Sequence, residues 1–268
     1  MEHPFTWHAL LSHEWQAILQ QHTFFALMSA LFVLLFAWRS RVALARAQDP
    51  AIPAADLGVR NIAELLVGLV VSQSDAIIGK QGRKFVPYFG TFFLFILFSN
   101  LSGLLPGFSP PTSNLNTTVA LALISFIGYN VIGLKEMGTG YLRHFVGPMT
   151  GLPARSFLGK LAFVPLLLLS VAFFFVLEFA SHLFRPVSLA LRLFGNMMGD
   201  HIVIEVFMDL TKLVVPVIFY ALGTLVSIIQ AAVFMLLSMI YVSLAISHGH
   251  DESHGHEQEH AQQSSHQA

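Results

Sequence analysis

The sequence predicts an all-α polytopic membrane protein. It should have three or so spanning helices, one amphipathic surface helix, and a C-terminal hairpin of two long, strongly tilted intramembrane helices. Three observations predict this class. Hydrophobic residues make up 55% of the chain and charged residues 11%, whereas soluble domains carry about 25% charged residues. So few charges cannot cover a water-facing surface, and lipid must meet much of the chain. Several apolar runs reach the roughly 20 residues that a crossing needs. Up to residue 160, the connections between those runs are alternately basic and free of lysine and arginine, as the positive-inside rule demands.

In chain order, residues 1–16 read as an external N-terminal segment. They lack the basic n-region of a signal peptide. Residues 17–246 form a single membrane domain. Ala17 to Trp38 is the first spanning run, followed by Arg39, Arg41 and Arg46. Pro50 and Pro53 mark a loop. Asn61 to Ile78 is apolar on one side only, with Glu64, Gln73, Ser74 and Asp75 elsewhere. It reads as a helix lying on or dipping into the membrane. Phe85 to Leu105 spans, Pro106 to Asn116 is a turn rich in Pro, Ser and Asn, and Thr117 to Leu134 spans again. Lys135 to Lys160 is a polar connection.

Residues 1–38 and 101–134 contain no Lys or Arg. The connections after the first and third spans hold Arg39, Arg41, Arg46, Arg60, Lys80, Arg83 and Lys84, then Lys135, Arg143, Arg155 and Lys160. The N-terminus and the 106–116 turn are therefore expected outside and the C-terminus inside.

Val164 to Asp209 is an apolar run with few turn signals, more than twice the length of a perpendicular span. It must be tilted, kinked or folded back at Pro186, Gly195 and Gly199. Val217 to Ile246 is a second overlong run. Together they form a hairpin at about 164–246. Residues 247–268 are polar and histidine-rich and are expected to be unstructured. His248, His250, His254, His256 and His260 could bind a metal, but no rigid element fixes their geometry, so no metal site is expected.

Composition excludes several classes. The net charge of −1 argues against nucleic acid. The absence of cysteine excludes disulfides, thiolate metal sites and thiol catalysis. There is no phosphate-binding glycine loop and no GxSxG. No cofactor, no direct nucleotide binding and no catalytic residue are expected.

The functional signal is charge where charge is costly. Arg192 lies in VSLALRLFGNMM with apolar residues on both sides. Arginine near mid-bilayer costs at least about 2.5–3.5 kcal/mol on insertion scales, and it does not shed its proton. It must face water, a carboxylate, or both, unless it snorkels to an interface. Helical spacing places Glu178, Arg185, Ser188, Arg192 and Asn196 in one stripe. His201, Glu205 and Asp209 fall on roughly the opposite face. One face holds a permanent cation and the other holds groups that exchange protons, as a proton path requires. The alternative for the second face is a helix end leaving the membrane, since Lys212 follows. In the last run Gln230 is flanked by long apolar stretches, with Gly223, Ser227 and Tyr241 near its face. It could bond to Arg192 or Asn196, or act as ordinary interhelical glue.

RPVSLALRLFGNMMGDH, from Arg185 to His201, resembles the hallmark of the a subunit of F-type ATP synthases. KFVPYFGTFFLFILFSNLSGLLP, PPTSNLNTTVALAL and IIQAAVFMLLSMIYVSLA are similar to other blocks of that family. The resemblance covers about residues 60–246. It implies that Arg192 matches the family's essential arginine. Ser188, Asn196, Glu178, Gln230 and Tyr241 match its polar positions. The sequence departs from the family where His201 stands in place of a common glutamate, Gly223 in place of a frequent histidine partner, and Asn114 in place of a frequent aspartate. Asp200, His201 and Glu205 are then the candidates for the outer relay, with His201 and Glu205 expected to act together at i and i+4.

The resemblance further implies a stator role in the membrane sector, non-catalytic by itself, in a bacterial plasma (inner) membrane. Two offset half-channels would lead to the buried carboxylates of a rotating c-ring. The c-ring, b-type peripheral stalk subunits and lipid would be its partners. A secondary transporter would predict inverted repeats, and none is visible. A respiratory pump subunit would need haem, metal or quinone ligands, yet the long spans hold only His182 and His201. A structural anchor leaves Arg192 unexplained.

Overall fold

The computed structural model describes residues 6–10, 12, 19–47, 58–105, 107–138, 157–210 and 214–265. In the two C-terminal helices, side chains are described at 169, 172, 173, 175–208 and 217–246. The described residues form six α-helices: α1 Gln21–Ala45, α2 Val59–Ile77, α3 Val86–Ser102, α4 Leu115–Met137, α5 Phe157–Leu210 and α6 Val214–Ser265. They form no strand. Among the described residues, four stretches are long and apolar enough to cross a membrane: Gln21–Ala45, Lys80–Ser102, Leu115–Glu136 and Val217–Ile246. The all-α polytopic class is as the composition predicted.

The chain divides into two compact units. One comprises Met1–Ala122 and Leu189–Ile240, the other Leu123–Ser188 and Tyr241–Ala268.

In the first unit, α1 is apolar around its whole circumference. It buries only Phe25 and Ser29 and leaves Leu27, Leu31, Phe32, Leu34, Leu35 and Trp38 exposed, as a lipid-facing helix does. It runs past Trp38, where the apolar run ends, to Ala45. Arg39, Arg41 and their neighbours are adequate helix formers, and no glycine or proline intervenes before Pro50.

Helix α2 is one-sided, burying Val70 and Ser74 while Arg60 Nε donates to Glu64 Oε1 at 2.6 Å. Its polar end is tied to the next segment. Arg83 Nε and Nη2 donate to Asp75 Oδ1 and Oδ2 at 2.9 and 2.6 Å. The Arg83 hydrogen bonds hold the exposed Asp75 carboxyl below the ordinary carboxylate range. A 3₁₀ turn over Lys80–Phe85 leads into α3. Gly79, at φ +85°, makes the reversal, and a Cβ on Gly82 would lie 2.6 Å from Ser74 Oγ.

Helix α3 forms the core of this unit. Phe89, Phe92, Phe93, Ile96 and Leu97 recur at helical spacing and are buried. Phe92 meets Phe234 of α6 with ring centroids 5.5 Å apart. From α5, Leu189, Ala190, Leu193 and Met197 are buried. From α6, Ala231, Phe234, Met235 and Met239 are wholly buried. The turn after α3 is locked by Thr112 Oγ1 donating to Asn100 Oδ1 at 2.7 Å, with both residues buried. A Cβ on Gly103 would collide with Pro110 at 2.6 Å. The N-terminal segment joins this same end: Trp7 N–H donates to Gly107 O at 3.1 Å, and Phe25 packs on Phe108 at 5.6 Å. Trp7 and the start of α1 thus lie against Gly107 and Phe108.

In the second unit, the rest of α4 ends at Gly138. Its φ of +57° is the left-handed stop that glycine allows, with its N–H donating to Leu134 O at 2.9 Å. The connection expected over Lys135–Lys160 lies mostly outside the described residues.

Helix α5 is one continuous run of 54 residues. At about 1.5 Å per residue its contour is about 80 Å, against a hydrocarbon core of about 30 Å. Pro186, Gly195 and Gly199 do not break it, because an intramembrane helix tolerates such residues when neighbours re-satisfy the backbone. Helix α6 continues to Ser265, through the segment expected to be unstructured, since extending an existing helix needs no new nucleus.

Candidate functional site

Two polar groupings stand out, one in each unit. In the first, α5 and α6 meet along a seam of polar and small residues. Asn196 Nδ2 donates to Gln230 Oε1 at 2.7 Å. Gln230 is only 3% exposed, and its Nε2, like the Oγ of buried Ser227, has no hydrogen-bond partner among the described residues. This is the cross-helix contact that spacing allowed, made to Asn196 rather than to Arg192.

One turn further along α5, Asp200 reaches the α6 backbone. A Cβ on buried Gly223 would lie 2.6 Å from Asp200 Oδ2 and 3.2 Å from Leu104 Cδ2. The carboxylate therefore occupies the space that any larger residue at 223 would fill. Arg192, Asn196 and Asp200 stand at i, i+4 and i+8, so one row of α5 carries a fixed cation, an amide and a carboxylate.

Arg192 lies on the exposed part of α5. Leu193 and Met197 are buried, whereas Leu191, Arg192, Gly195, Met198 and Gly199 are exposed. Arg192 makes no hydrogen bond or ion pair among the described residues. Gly195 and Gly199 have open space where a Cβ would stand, so another helix can approach this surface closely. Ser188 is also exposed, its Oγ donating to Arg185 O at 3.0 Å.

The pairing expected between His201 and Glu205 is not formed. His201 is half-buried and Glu205 exposed, with no hydrogen bond or ion pair between them among the described residues. The i,i+4 spacing permits such a contact without requiring it. The side chain of Asp209 lies outside the described residues.

In the second unit, Glu178 is half-buried with Oε1 3.3 Å from His182 Nε2. The other ring nitrogen of His182, Nδ1, lies 3.2 Å from the Tyr129 hydroxyl. Arg185 Cζ sits 5.4 Å from the centroid of the Tyr241 ring, and that ring packs on Tyr129 at 5.8 Å. Glu178, Arg185 and Tyr241 were visible in the sequence. Tyr129 and His182 were not among the candidate site residues. His182 had stood out only as one of two histidines in the long spans, and Tyr129 is 53 residues away, a separation no helical period bridges.

Comparison with known proteins identifies the context. A family model described as ATP synthase A chain matches residues 23–243. The chain is 42% identical over 212 residues to ATP synthase subunit a of Bdellovibrio bacteriovorus, covering 79% of this chain and 85% of that one. It is 41% identical over 209 residues to ATP synthase subunit a of Geobacter sp. (strain M21), covering 78% and 83%. A third relative, ATP synthase subunit a of Geobacter sulfurreducens, is 41% identical over 200 residues, covering 75% and 80%.

Proposed function

The chain belongs to the ATP synthase A chain family, and on that footing we propose that it is the stationary proton-path subunit of the membrane sector. It couples proton flow across the membrane to rotation of a ring of c subunits. The single observation that carries this reading is Arg192, an exposed guanidinium in an apolar stretch of helix, with no hydrogen bond or ion pair among the described residues. Such a charge is costly in hydrocarbon, so a carboxylate or water must meet it there. Gly195 and Gly199 on the same face suit the close passage of another helix.

In this mechanism the ring carries one ionisable carboxylate per subunit. A carboxylate that has lost its proton is drawn to Arg192. Because the guanidinium cannot release a proton, protons cannot pass directly between the two half-channels at this point. They must travel around with the ring instead. Asn196 and Gln230 hold the polar seam beside Arg192, and Ser188 lines the approach one turn away.

The inner half-channel leads past Glu178 and Tyr241. The outer one uses Asp200 as its exchanging acid, seated against Gly223, with His201 and Glu205 farther along the same helix toward water. Each unit charge that crosses 100 mV releases about 2.3 kcal/mol. Several such steps sum to the cost of one ATP made in a separate soluble head. The subunit itself binds no nucleotide, and b-type stalk subunits hold it still.

The test is co-purification from membranes. The reading predicts a c-ring and stalk subunits associated with this chain. A chain that purifies intact without a c-ring would overturn it.

A further inference from the structure

We propose that His182 exchanges a proton with Glu178, with Tyr129 as the positioning residue that holds the imidazole in place. The observations are in the second unit alone. His182 is 6% exposed and Tyr129 1%. The two rings lie nearly parallel, 29° apart, with centroids 6.2 Å from each other. Both ring nitrogens are engaged: Nδ1 with the Tyr129 hydroxyl at 3.2 Å, and Nε2 with Glu178 Oε1 at 3.3 Å. Glu178 keeps a side-chain exposure of 29%, so the carboxyl can trade protons with the outside of the cluster while the imidazole cannot.

Helix packing alone does not call for this arrangement. A buried imidazole costs free energy unless both nitrogens are satisfied, and an aliphatic side chain would fill the same space without that demand. Glu178 from its own helix and Tyr129 from α4 meet His182 directly, and the Tyr129 ring in turn packs on Tyr241 of α6, which carries Arg185 over its face. Arg185 lies over the Tyr241 ring and also interacts with the Tyr129 hydroxyl.

The step balances within the cluster. The step uses the tautomer in which Nδ1–H donates to the Tyr129 hydroxyl oxygen and the Nε2 lone pair faces Glu178. When the Glu178 carboxyl is protonated, its O–H bond breaks and an N–H bond forms at Nε2. A carboxylate and an imidazolium result, and the reverse step returns the proton.

This proposal rests on the reading that Glu178 lines a proton path, and the experiment separates the two. ATP-driven acidification is measured in inverted vesicles holding the whole complex, from about pH 6 to about pH 8.5, spanning the ordinary histidine range. His182→Gln, which can bond but not carry a proton, should pump about tenfold to a hundredfold more slowly, within the scale of a positioned proton-transfer group. His182→Ala should fall similarly and recover in part when imidazole is added. Tyr129→Phe should keep the packing and change the pH profile.

Wild-type pumping by His182→Gln across the whole range would overturn the proposal. If the His182 variants fail to assemble, Tyr129→Phe decides, and an unchanged rate and pH profile would overturn it. If Glu178→Gln pumps normally, the reading of Glu178 as part of the path fails and takes the proposal with it. If Glu178→Gln is slow and His182→Gln is normal, only the proposal fails.

Discussion

Gly223→Ala is the substitution most directly constrained by the geometry. The added methyl would stand 2.6 Å from Asp200 Oδ2 and 3.2 Å from Leu104 Cδ2. Ordinary contact begins near 3.4 Å, so the carboxylate must retreat by about 0.8 Å, and Leu104 by a few tenths of an ångström. Asp200 Oδ2 is the end of a movable side chain, which places the folding cost at the low end of the roughly 1–3 kcal/mol typical of overpacking.

The complex should therefore still assemble. Proton flow should suffer more than stability, because a proton-exchanging carboxylate works only at hydrogen-bond reach of its partner. The expectation is a fall of about tenfold in ATP-driven acidification, equal to about 1.4 kcal/mol in the barrier, with normal amounts of complex in the membrane. Asp200→Asn alone should fall at least as far. In the double variant the two losses should not add, since both act on one carboxylate. Full pumping by Gly223→Ala, with Asp200→Asn also silent, would refute the assignment of Asp200 to the outer path.

Three further outcomes are expected. Gln230→Leu removes the partner of Asn196 and should cost about 0.6 kcal/mol of stability, at most about 1.7, while slowing proton flow severalfold; unchanged flow would make Gln230 packing glue alone. Cysteines introduced by Ser12→Cys and Ser264→Cys, in a chain with no native cysteine, should react with an impermeant thiol reagent from outside and from inside respectively; outside labelling at 264 in intact cells would refute the orientation. Removal of residues 247–268 should leave coupling nearly intact, and a large loss of ATP synthesis with normal assembly would reveal a role for that segment.

How much of this was readable in the sequence depended on the kind of interaction. Helices are governed by local composition. The apolar runs beginning near Ala17, Phe85, Thr117 and Val217 accordingly correspond to α1, α3, α4 and α6. The one-sided pattern after Asn61 corresponds to α2. Their ends were less legible. Trp38 closes the apolar stretch of α1, yet the helix continues to Ala45, because leaving lipid does not unwind a helix whose residues favour it.

Arg192 was legible because a charge in an apolar run is anomalous wherever the helix packs. Contacts between helices were not. Asp200 at Gly223 and Tyr129 on His182 are set by the register of one helix on another, which sequence spacing does not carry. His201 and Glu205 illustrate the converse. Their spacing allowed a contact that is not made among the described residues. The two missed residues, Tyr129 and His182, each look ordinary alone and gain meaning only as a pair.

Proton pumping by Arg192→Ala is the measurement that tests the central claim most directly. Removing a cation from an apolar helix lowers its insertion cost by about 2.5–3.5 kcal/mol, so the variant should enter the membrane and assemble at normal levels. Acidification of inverted vesicles on ATP addition should be abolished, and ATP synthesis with it. Arg192→Lys should also fail largely, since a compact ammonium lacks the planar fork that pairs with a carboxylate. Normal acidification by assembled Arg192→Ala would contradict the account.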